Sequence, residues 1–268
     1  LSNKLLGDRA GSISVMDIYT GEIIAMHSSP SFDPNLFVFG ISKDNWQLIK
    51  NNPLKPLTNK TLSGLYSPGS TIKPILGLAA LQLGVVNLTH RHICRGHFSL
   101  PGNTHRYRDW LPTGHGSVNL HNAIAQSCDV FFYEIGGQIG IDRMHNYLDQ
   151  FGLGQKTNIE LTGERDGLIP STLWKKTMFS KNEDKTWFPG ETVIASIGQG
   201  YMLATPLQLA NATAALATRG IRYKPTLVSA TQDPISKIKM ISEPLQLNQI
   251  KIDLSLIHIS EPTRPMNI

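Results

Sequence analysis

Ser70 and Lys73 stand three residues apart in the stretch Tyr66-Ser67-Pro68-Gly69-Ser70-Thr71-Ile72-Lys73. A serine hydroxyl is a weak nucleophile until a base takes its proton. A lysine can be that base when burial and nearby positive charge lower its pKa. A three-residue spacing on a helix puts both side chains on one face. In a chain of this composition S-x-x-K also arises by chance on the order of once, so the pattern needs support from its surroundings. A second hydroxyl lies in Ser127-Cys128-Asp129. It could face the nucleophile across a cleft and relay a proton to a leaving group, or it could be an ordinary helix-start turn, which Ser and Asp both favour. Cys94, Asp109, His115 and Cys128 are all zinc-compatible ligands. Their spacing is not a zinc-finger pattern, so a Cys94–Cys128 disulfide and plain solvent-exposed loop histidines stay open beside a metal.

The elements that must position these groups can be read from apolar spacing and chain punctuation. Pro68-Gly69 breaks the chain. From Ser70, the residues Ile72, Ile75, Leu76, Leu78, Ala79, Ala80, Leu81 and Leu83 predict a buried helix that Gly84 ends, with Pro74 tolerated in its first turn. Ser70 is thereby expected at the positive end of that helix, which favours a developing alkoxide. Residues 11–27 read as a hairpin around Tyr19-Thr20-Gly21-Glu22 and as part of a central antiparallel sheet. Trp46 to Asn51 reads as a short helix or turn. Residues 90–117 hold five of the nine histidines and little hydrophobic period, which predicts a long ordered loop. Asn119 to Gln126 is an expected helix, Ser127-Cys128-Asp129 an interruption, and Phe131 to Gly136 its resumption. Asp142 to Phe151 reads as an amphipathic helix stopped by Gly152, and 154–190 as loop-rich. Thr205 and Pro206 read as the N-cap and first position of a helix that stops at Gly220. Helices around a small antiparallel sheet predict an α+β fold.

With 268 residues, 40% of them hydrophobic and 17% charged, the chain can bury a substantial core. Its net charge of +5 is scattered, which argues against nucleic acid as a partner. No apolar run reaches transmembrane length, and no signal peptide is present. The chain begins at Leu1, so any targeting segment is expected upstream.

The chain resembles the transpeptidase domain of class B penicillin-binding proteins, within their cell-elongation subgroup. The resemblance rests on MDIYTGEIIAMHSSPSFDPN, LSGLYSPGSTIKP, LPGNTHRYRDW with HGSVNL, SCDVFFY, and SIGQGYMLATPLQLANA, in order up to about residue 230. S-x-x-K with a later S-x-N and K-T-G is the signature of this enzyme class. The resemblance implies an α+β transpeptidase fold with an antiparallel sheet. It implies a periplasmic D,D-transpeptidase that cross-links peptidoglycan stem peptides ending in D-Ala-D-Ala, takes β-lactams as substrate mimics, works with a glycosyltransferase of cell elongation, and carries an inner-membrane anchor upstream. Ser70 falls on the acylated nucleophile and Lys73 on its lysine, expected to take the Ser70 proton. Ser127 and Asp129 fall on the second motif, whose last place is Asn in many relatives and Asp in the elongation subgroup. Gly198-Gln199-Gly200 falls on a segment at the substrate cleft. The subgroup is known for zinc here, with Asp109, His115 and Cys128 on ligand positions and Cys94 where some relatives have a carboxylate. Other readings are a serine β-lactamase or β-lactam sensor, and a non-catalytic, zinc-stabilised binding domain.

One element of the family signature is absent. Lys60-Thr61, Lys156-Thr157, Lys176-Thr177 and Lys185-Thr186 are not followed by Gly, so the sequence holds no K-[ST]-G. In the family that motif lies on a later sheet strand, binds the substrate carboxylate and helps form the oxyanion hole. Residues 254–264, LSLIHISEPTR, resemble the translation of a sequencing adapter rather than the family. The expected organisation is a partial transpeptidase domain over 1–253 and a non-native tail over 254–268, with the later sheet strands missing and the 268-residue chain itself inactive.

Overall fold

The structure is a computed structural model that describes residues 1–253. The adapter-like tail therefore lies outside the described residues. The chain divides into two compact units.

The first unit comprises Leu1–Tyr66, Gly152–Gly167 and Ala204–Gln249. Its hairpin is present as expected: Gly11–Met16 pairs antiparallel with Ile23–Ser29, Ile13 opposite His27. Asp17 closes the turn, its Oδ1 accepting from the N–H groups of Tyr19 and Thr20, the Asx arrangement that favours Asp at such corners. Pro30 has no N–H to give a ladder and stops the second strand. The hairpin does not join a wider sheet among the described residues. Among the described residues five ladders occur, each two-stranded, and a single bridge, Glu22 to Thr226, extends the hairpin. The helix Pro206–Ala217 packs on the first strand and starts at Thr205 as its residues predict. Thr205 Oγ1 accepts from the Gln208 N–H while Gln208 Oε1 accepts from the Thr205 N–H, a reciprocal cap. Leu62, Ile159 and Leu207 form a small core with Ile23 and Met26 against it.

The second unit comprises Ser67–Phe151, Leu168–Leu203 and, of the described residues, 250–253. Its core is helical. Ile72, Leu76, Phe131, Phe132, Ile135, Ile139, Met144, Leu148 and Phe151 are all essentially excluded from solvent. Helices run over Lys73–Gln82, Leu120–Ala125, Asp129–Ile139 and Ile141–Gln150. Two more run over Thr172–Met178, inside the 154–190 stretch that reads as loop-rich in the sequence, and Pro189–Ala195, which begins at its end. Each is about two turns long, too short for an apolar stripe to recur. Residues 90–117 are also more regular than expected. His92–Cys94 pairs with Gly116–Val118, and His97–Phe98 pairs with Tyr107–Arg108. Strands of two or three residues carry no readable alternation. Gly136 lets the Asp129–Ile139 helix meet the end of Pro189–Ala195: a Cβ there would sit 2.2 Å from Ser196 Cβ.

Candidate active site

All the candidate catalytic and metal-binding groups lie in the second unit. Ser70 is not in the α-helix itself. It sits in a tight 3-10 turn, Gly69–Ile72, that leads into the helix beginning at Lys73. The turn tightens the spacing, exposes Ser70 and buries Lys73, which is 1% exposed.

The ammonium of Lys73 has three acceptors, matching its three protons. They are Ser127 O at 2.8 Å, Ser127 Oγ at 3.1 Å and Asp129 Oδ1 at 2.6 Å. Its Nζ also stands 5.3 Å from the centre of the Phe132 ring. Burying a charge is costly unless it is paired and fully hydrogen-bonded, and this set meets that condition. Ser127 Oγ in turn donates to Ser70 Oγ at 2.9 Å. The direct Lys73–Ser70 contact that the three-residue spacing suggests is not among these bonds. Lys73 reaches Ser70 through Ser127, in one continuous line of polar atoms.

Ser127 holds its place with a positive φ of 53°, a conformation that costs a non-glycine residue energy and is kept where surroundings impose it. Trp110 supplies part of that imposition, and the sequence reading did not single it out. Its indole N–H donates to Gln126 O at 3.0 Å, and its backbone N–H donates to Asp129 Oδ2 at 3.2 Å. The available signal was its place next to Asp109 in the RYRDW stretch.

Gly198 contributes support to the turn. Its carbonyl accepts from the Gly69 N–H at 2.9 Å. Its φ is +70°, and a Cβ there would stand 2.3 Å from Gly69 O and 2.6 Å from Gly69 N. The backbone of the Gly198-Gln199-Gly200 segment thus lies directly on the backbone just before Ser70, an approach only glycine permits. Gln199 and Gly200 are exposed.

Cys94, Asp109, His115 and Cys128 converge. Their ligating atoms all lie within 4.8 Å of one another. Cys94 Sγ is 3.5 Å from Asp109 Oδ2 and 3.5 Å from His115 Nδ1, Cys128 Sγ is 3.5 Å from Asp109 Oδ2, and His115 Nδ1 is 3.5 Å from Asp109 Oδ1. Tetrahedral zinc bonds of about 2.0–2.3 Å set ligand atoms about 3.3–3.8 Å apart, so the donor set and its spacing fit that ion. Both cysteines are free and buried. Burial, with Cys94 and Asp109 beside it, pushes the Cys128 thiol up. Burial also opposes the Asp109 charge, but the N–H groups of Leu111 and Val130, with His115 and Cys128, outweigh it and hold the carboxyl below its usual range. Because Cys128 lies between Ser127 and Asp129, the cluster and the polar line share one stretch of backbone.

An exposed hydroxyl, a second hydroxyl bonded to it, a buried lysine and its carboxylate form an arrangement that could carry out acyl transfer. Comparison with known proteins agrees with that chemistry. Residues 11–258 match the penicillin binding protein transpeptidase domain. The peptidoglycan D,D-transpeptidase MrdA of Acinetobacter baumannii is 46% identical over 232 residues, 86% of this chain and 34% of that protein. The crystal structure of Pseudomonas aeruginosa PBP2 in complex with WCK 5153 superposes with a TM-score of 0.85 at 40% identity, over 96% of this chain and 57% of that one. The complex between PBP2 and MreC from Helicobacter pylori gives 0.79 at 36% identity, over 88% and 42%. The chain spans about a third of the length of the curated relatives it matches. With the family match covering most of its residues, and the Ser70, Lys73 and Ser127 side chains joined by hydrogen bonds, this chain belongs to the penicillin-binding protein transpeptidase family.

Proposed function

We propose that the chain is the acylating part of a peptidoglycan D,D-transpeptidase of cell elongation. The observation that carries this reading is the line Ser70–Ser127–Lys73–Asp129. Ser70 Oγ attacks the penultimate D-Ala carbonyl of a stem peptide, forming the C–O bond. Its proton passes to Ser127 Oγ as Ser127 gives its own to Lys73 Nζ, which hands one of its protons to Asp129 Oδ1. When the C–N bond breaks, the reverse relay protonates the leaving nitrogen and terminal D-Ala departs. An amine of a neighbouring stem peptide then attacks the ester. It gives up a proton along the same relay, and Ser70 Oγ leaves as a hydroxyl while the cross-link forms. The backbone N–H of Ser70 supplies one donor to the oxyanion, and Gln199 and Gly200 edge the substrate cleft. β-Lactams acylate Ser70 by the first half of this sequence.

Cys94, Asp109, His115 and Cys128 would hold a zinc ion, which would serve as a structural crosslink fixing Cys128 and with it the flanking Ser127 and Asp129. The second motif then depends on the His92–Cys94 and Gly116–Val118 pairing as well as on its own helix.

No described helix is long and apolar enough to cross a membrane. The family resemblance implies that the whole protein works at the periplasmic face of the inner membrane, held by an anchor upstream. Its partners there are a glycosyltransferase and, as for the Helicobacter protein, MreC.

Labelling with a fluorescent penicillin tests the reading, in a form of the protein completed through a K-[ST]-G motif. Ser70→Ala is expected to abolish covalent labelling, and labelling of that variant at the parent level overturns the assignment. Slow deacylation of the labelled parent is expected of a transpeptidase, and rapid turnover would mark a lactamase instead.

A further inference from the structure

Besides Lys73, the described part of the second unit buries one more lysine. Lys175, in the helix Thr172–Met178, is 3% exposed and takes no part in the line from Ser70 to Asp129. Its ammonium pairs with Glu191 Oε1, its one hydrogen-bond acceptor among the described residues. The rest of its surroundings are aromatic. Its Nζ lies 5.3 Å from the centre of the Phe188 ring, 5.6 Å from that of Trp187 and 5.8 Å from that of Tyr201. Rings at such distances attract a cation through their electron-rich faces, and the carboxylate completes the box. Stability alone gives little reason for this set. A buried ion pair replaced by apolar side chains of similar volume is often as stable or more so.

The segments that build the box run on to Ser70. Glu191 holds Lys175 with one carboxylate oxygen. With the other it accepts from the Phe188 N–H at 2.8 Å and so caps the helix Pro189–Ala195. Trp187 braces the same turn, its indole N–H donating to Thr192 Oγ1 at 2.8 Å. The far end of that helix carries Gly198 and Gln199, whose N–H groups donate to Ala195 O at 2.9 Å and to Ile194 O at 3.3 Å. Gly198 O then accepts from the Gly69 N–H, one residue before Ser70. On the other side of Gly198-Gln199-Gly200 stands Tyr201, against Lys175 and, at 5.1 Å between ring centres, against Trp174. The glycine segment supplies little stiffness of its own. Gly198 and Gly200 have φ of +70° and +71°, and glycine has more backbone freedom to lose than any other residue. Lys175 therefore meets both flanks of a loose segment on which the Ser70 turn rests.

We propose that Lys175 is a positioning residue for acyl transfer. Its pairing with Glu191 and the rings sets Gly198-Gln199-Gly200 and, through the Gly198–Gly69 bond, aims the backbone N–H of Ser70. The proposal rests on the transpeptidase reading above, in which that N–H is a donor to the oxyanion. Such a donor acts only when it points at the place where charge develops, and a ~1 Å misplacement can cost about 10²-fold in rate. An apolar side chain at 175 fills the box but no longer ties Glu191 to Tyr201. The reactive step then suffers, while the core that surrounds it stays packed.

The test follows acylation of Ser70 by a fluorescent penicillin, by stopped flow, in the whole protein completed through a K-[ST]-G motif. Lys175→Met keeps an unbranched side chain of similar size and removes the charge. It is expected to lower the rate constant at saturating penicillin by at least about tenfold, within the cost of a misplaced reacting group. The half-saturating concentration and Tm should stay near parent values. Lys175→Arg, whose guanidinium can still pair with Glu191 and stack on the rings, should recover most of that loss, which a purely packing role would not give. Lys176→Met, at an exposed neighbour on the same helix, should acylate as the parent does. A folded Lys175→Met protein with the parent rate constant overturns the proposal, as does a loss that Lys175→Arg does not relieve. If Lys175→Met does not fold, Glu191→Gln decides, since it removes the charge partner and keeps an acceptor for the cap. A parent-like rate constant there overturns the proposal, and a loss of about tenfold upholds it. A parent protein that penicillin fails to label removes the transpeptidase reading and this one with it. Labelling with equal rate constants in all variants removes only the role of Lys175.

Discussion

Lys73 is buried with its charge answered by Asp129 and by both oxygens that Ser127 offers. Removing one partner of such a set leaves the others exposed to the cost of an unpaired buried group. Lys73→Ala is therefore expected to slow penicillin acylation by about 10²–10⁴-fold, the range of a lost acid–base group, and to lower Tm as well. Ser127 separates chemistry from conformation. Its positive φ suits glycine better than alanine. Ser127→Gly and Ser127→Ala should lose acylation equally, since both lack the relay hydroxyl. The glycine variant should be the more stable of the two by about 1 kcal/mol, the left-handed penalty alanine carries. Chemical denaturation and stopped-flow acylation together check this, and a glycine variant that acylates like the parent would remove Ser127 from the proton path. The residues of this line were legible in the sequence through the family resemblance, since S-x-x-K alone arises by chance on the order of once, Ser127-Cys128-Asp129 alone reads equally as a helix-start turn, and 54 to 57 positions separate the two. Trp110 was not, because its part is played by a backbone N–H and an indole reaching residues 16 and 19 positions away, which no local pattern records.

At the scale of elements, the turn at Ser70 leans on the Gly198 backbone, and the Cys128 stretch leans on Cys94, Asp109 and His115 gathered around it. Gly198→Ala forces a Cβ to 2.3 Å from a backbone oxygen in a positive-φ position, where the opposing atom cannot swing aside. We expect a loss of about 1–3 kcal/mol together with reduced labelling, since the displaced neighbour is Gly69. Loss of stability with full labelling would show that the turn tolerates the shift. The cluster gives a second prediction: the folded chain binds one zinc, and chelation or Cys94→Ser lowers Tm and slows acylation together, because metal binding is coupled to folding. Elemental analysis and melting curves check it, and a metal-free protein with a Cys94–Cys128 disulfide is the opposing result. Capped helices such as Pro206–Ala217 were readable from Thr205, Pro206 and their apolar spacing. The strands at 92–94, 97–98, 107–108 and 116–118 were not, because each is too short for alternation and the His92–Cys94 ladder pairs residues more than 20 positions apart.

At the scale of the whole chain, acid stability and length are the informative variables. Burial opposes the charge on Glu160, yet bonds from Thr226 Oγ1 at 2.9 Å and the Leu227 N–H at 3.2 Å, with Lys224 nearby, hold its carboxyl below the usual range. A depressed folded-state pKa contributes stability above the unfolded value of about 4.3 and loses it as pH falls through the folded value. Glu160→Gln should thus melt below the parent at neutral pH, and the two Tm curves should converge in acid.

Length bears on activity through the site's groups. Ser70, Lys73, Ser127, Asp129 and the four metal-binding residues all precede Gly198, and no K-[ST]-G occurs in the sequence. In the family that motif completes the oxyanion hole and anchors the substrate carboxylate, and one oxyanion donor alone is worth about 10²–10³ in rate. The 268-residue chain is therefore expected to acylate with penicillin at least about 100-fold more slowly than a form carrying the motif. A chain ended at Asp253 should melt and label as the 268-residue chain does, because none of the site's groups is lost with 254–268. Efficient, stoichiometric acylation of the 268-residue chain would show that its own residues complete the oxyanion hole. A drop in Tm on truncation would place the domain boundary beyond Asp253, toward the end of the family match at residue 258.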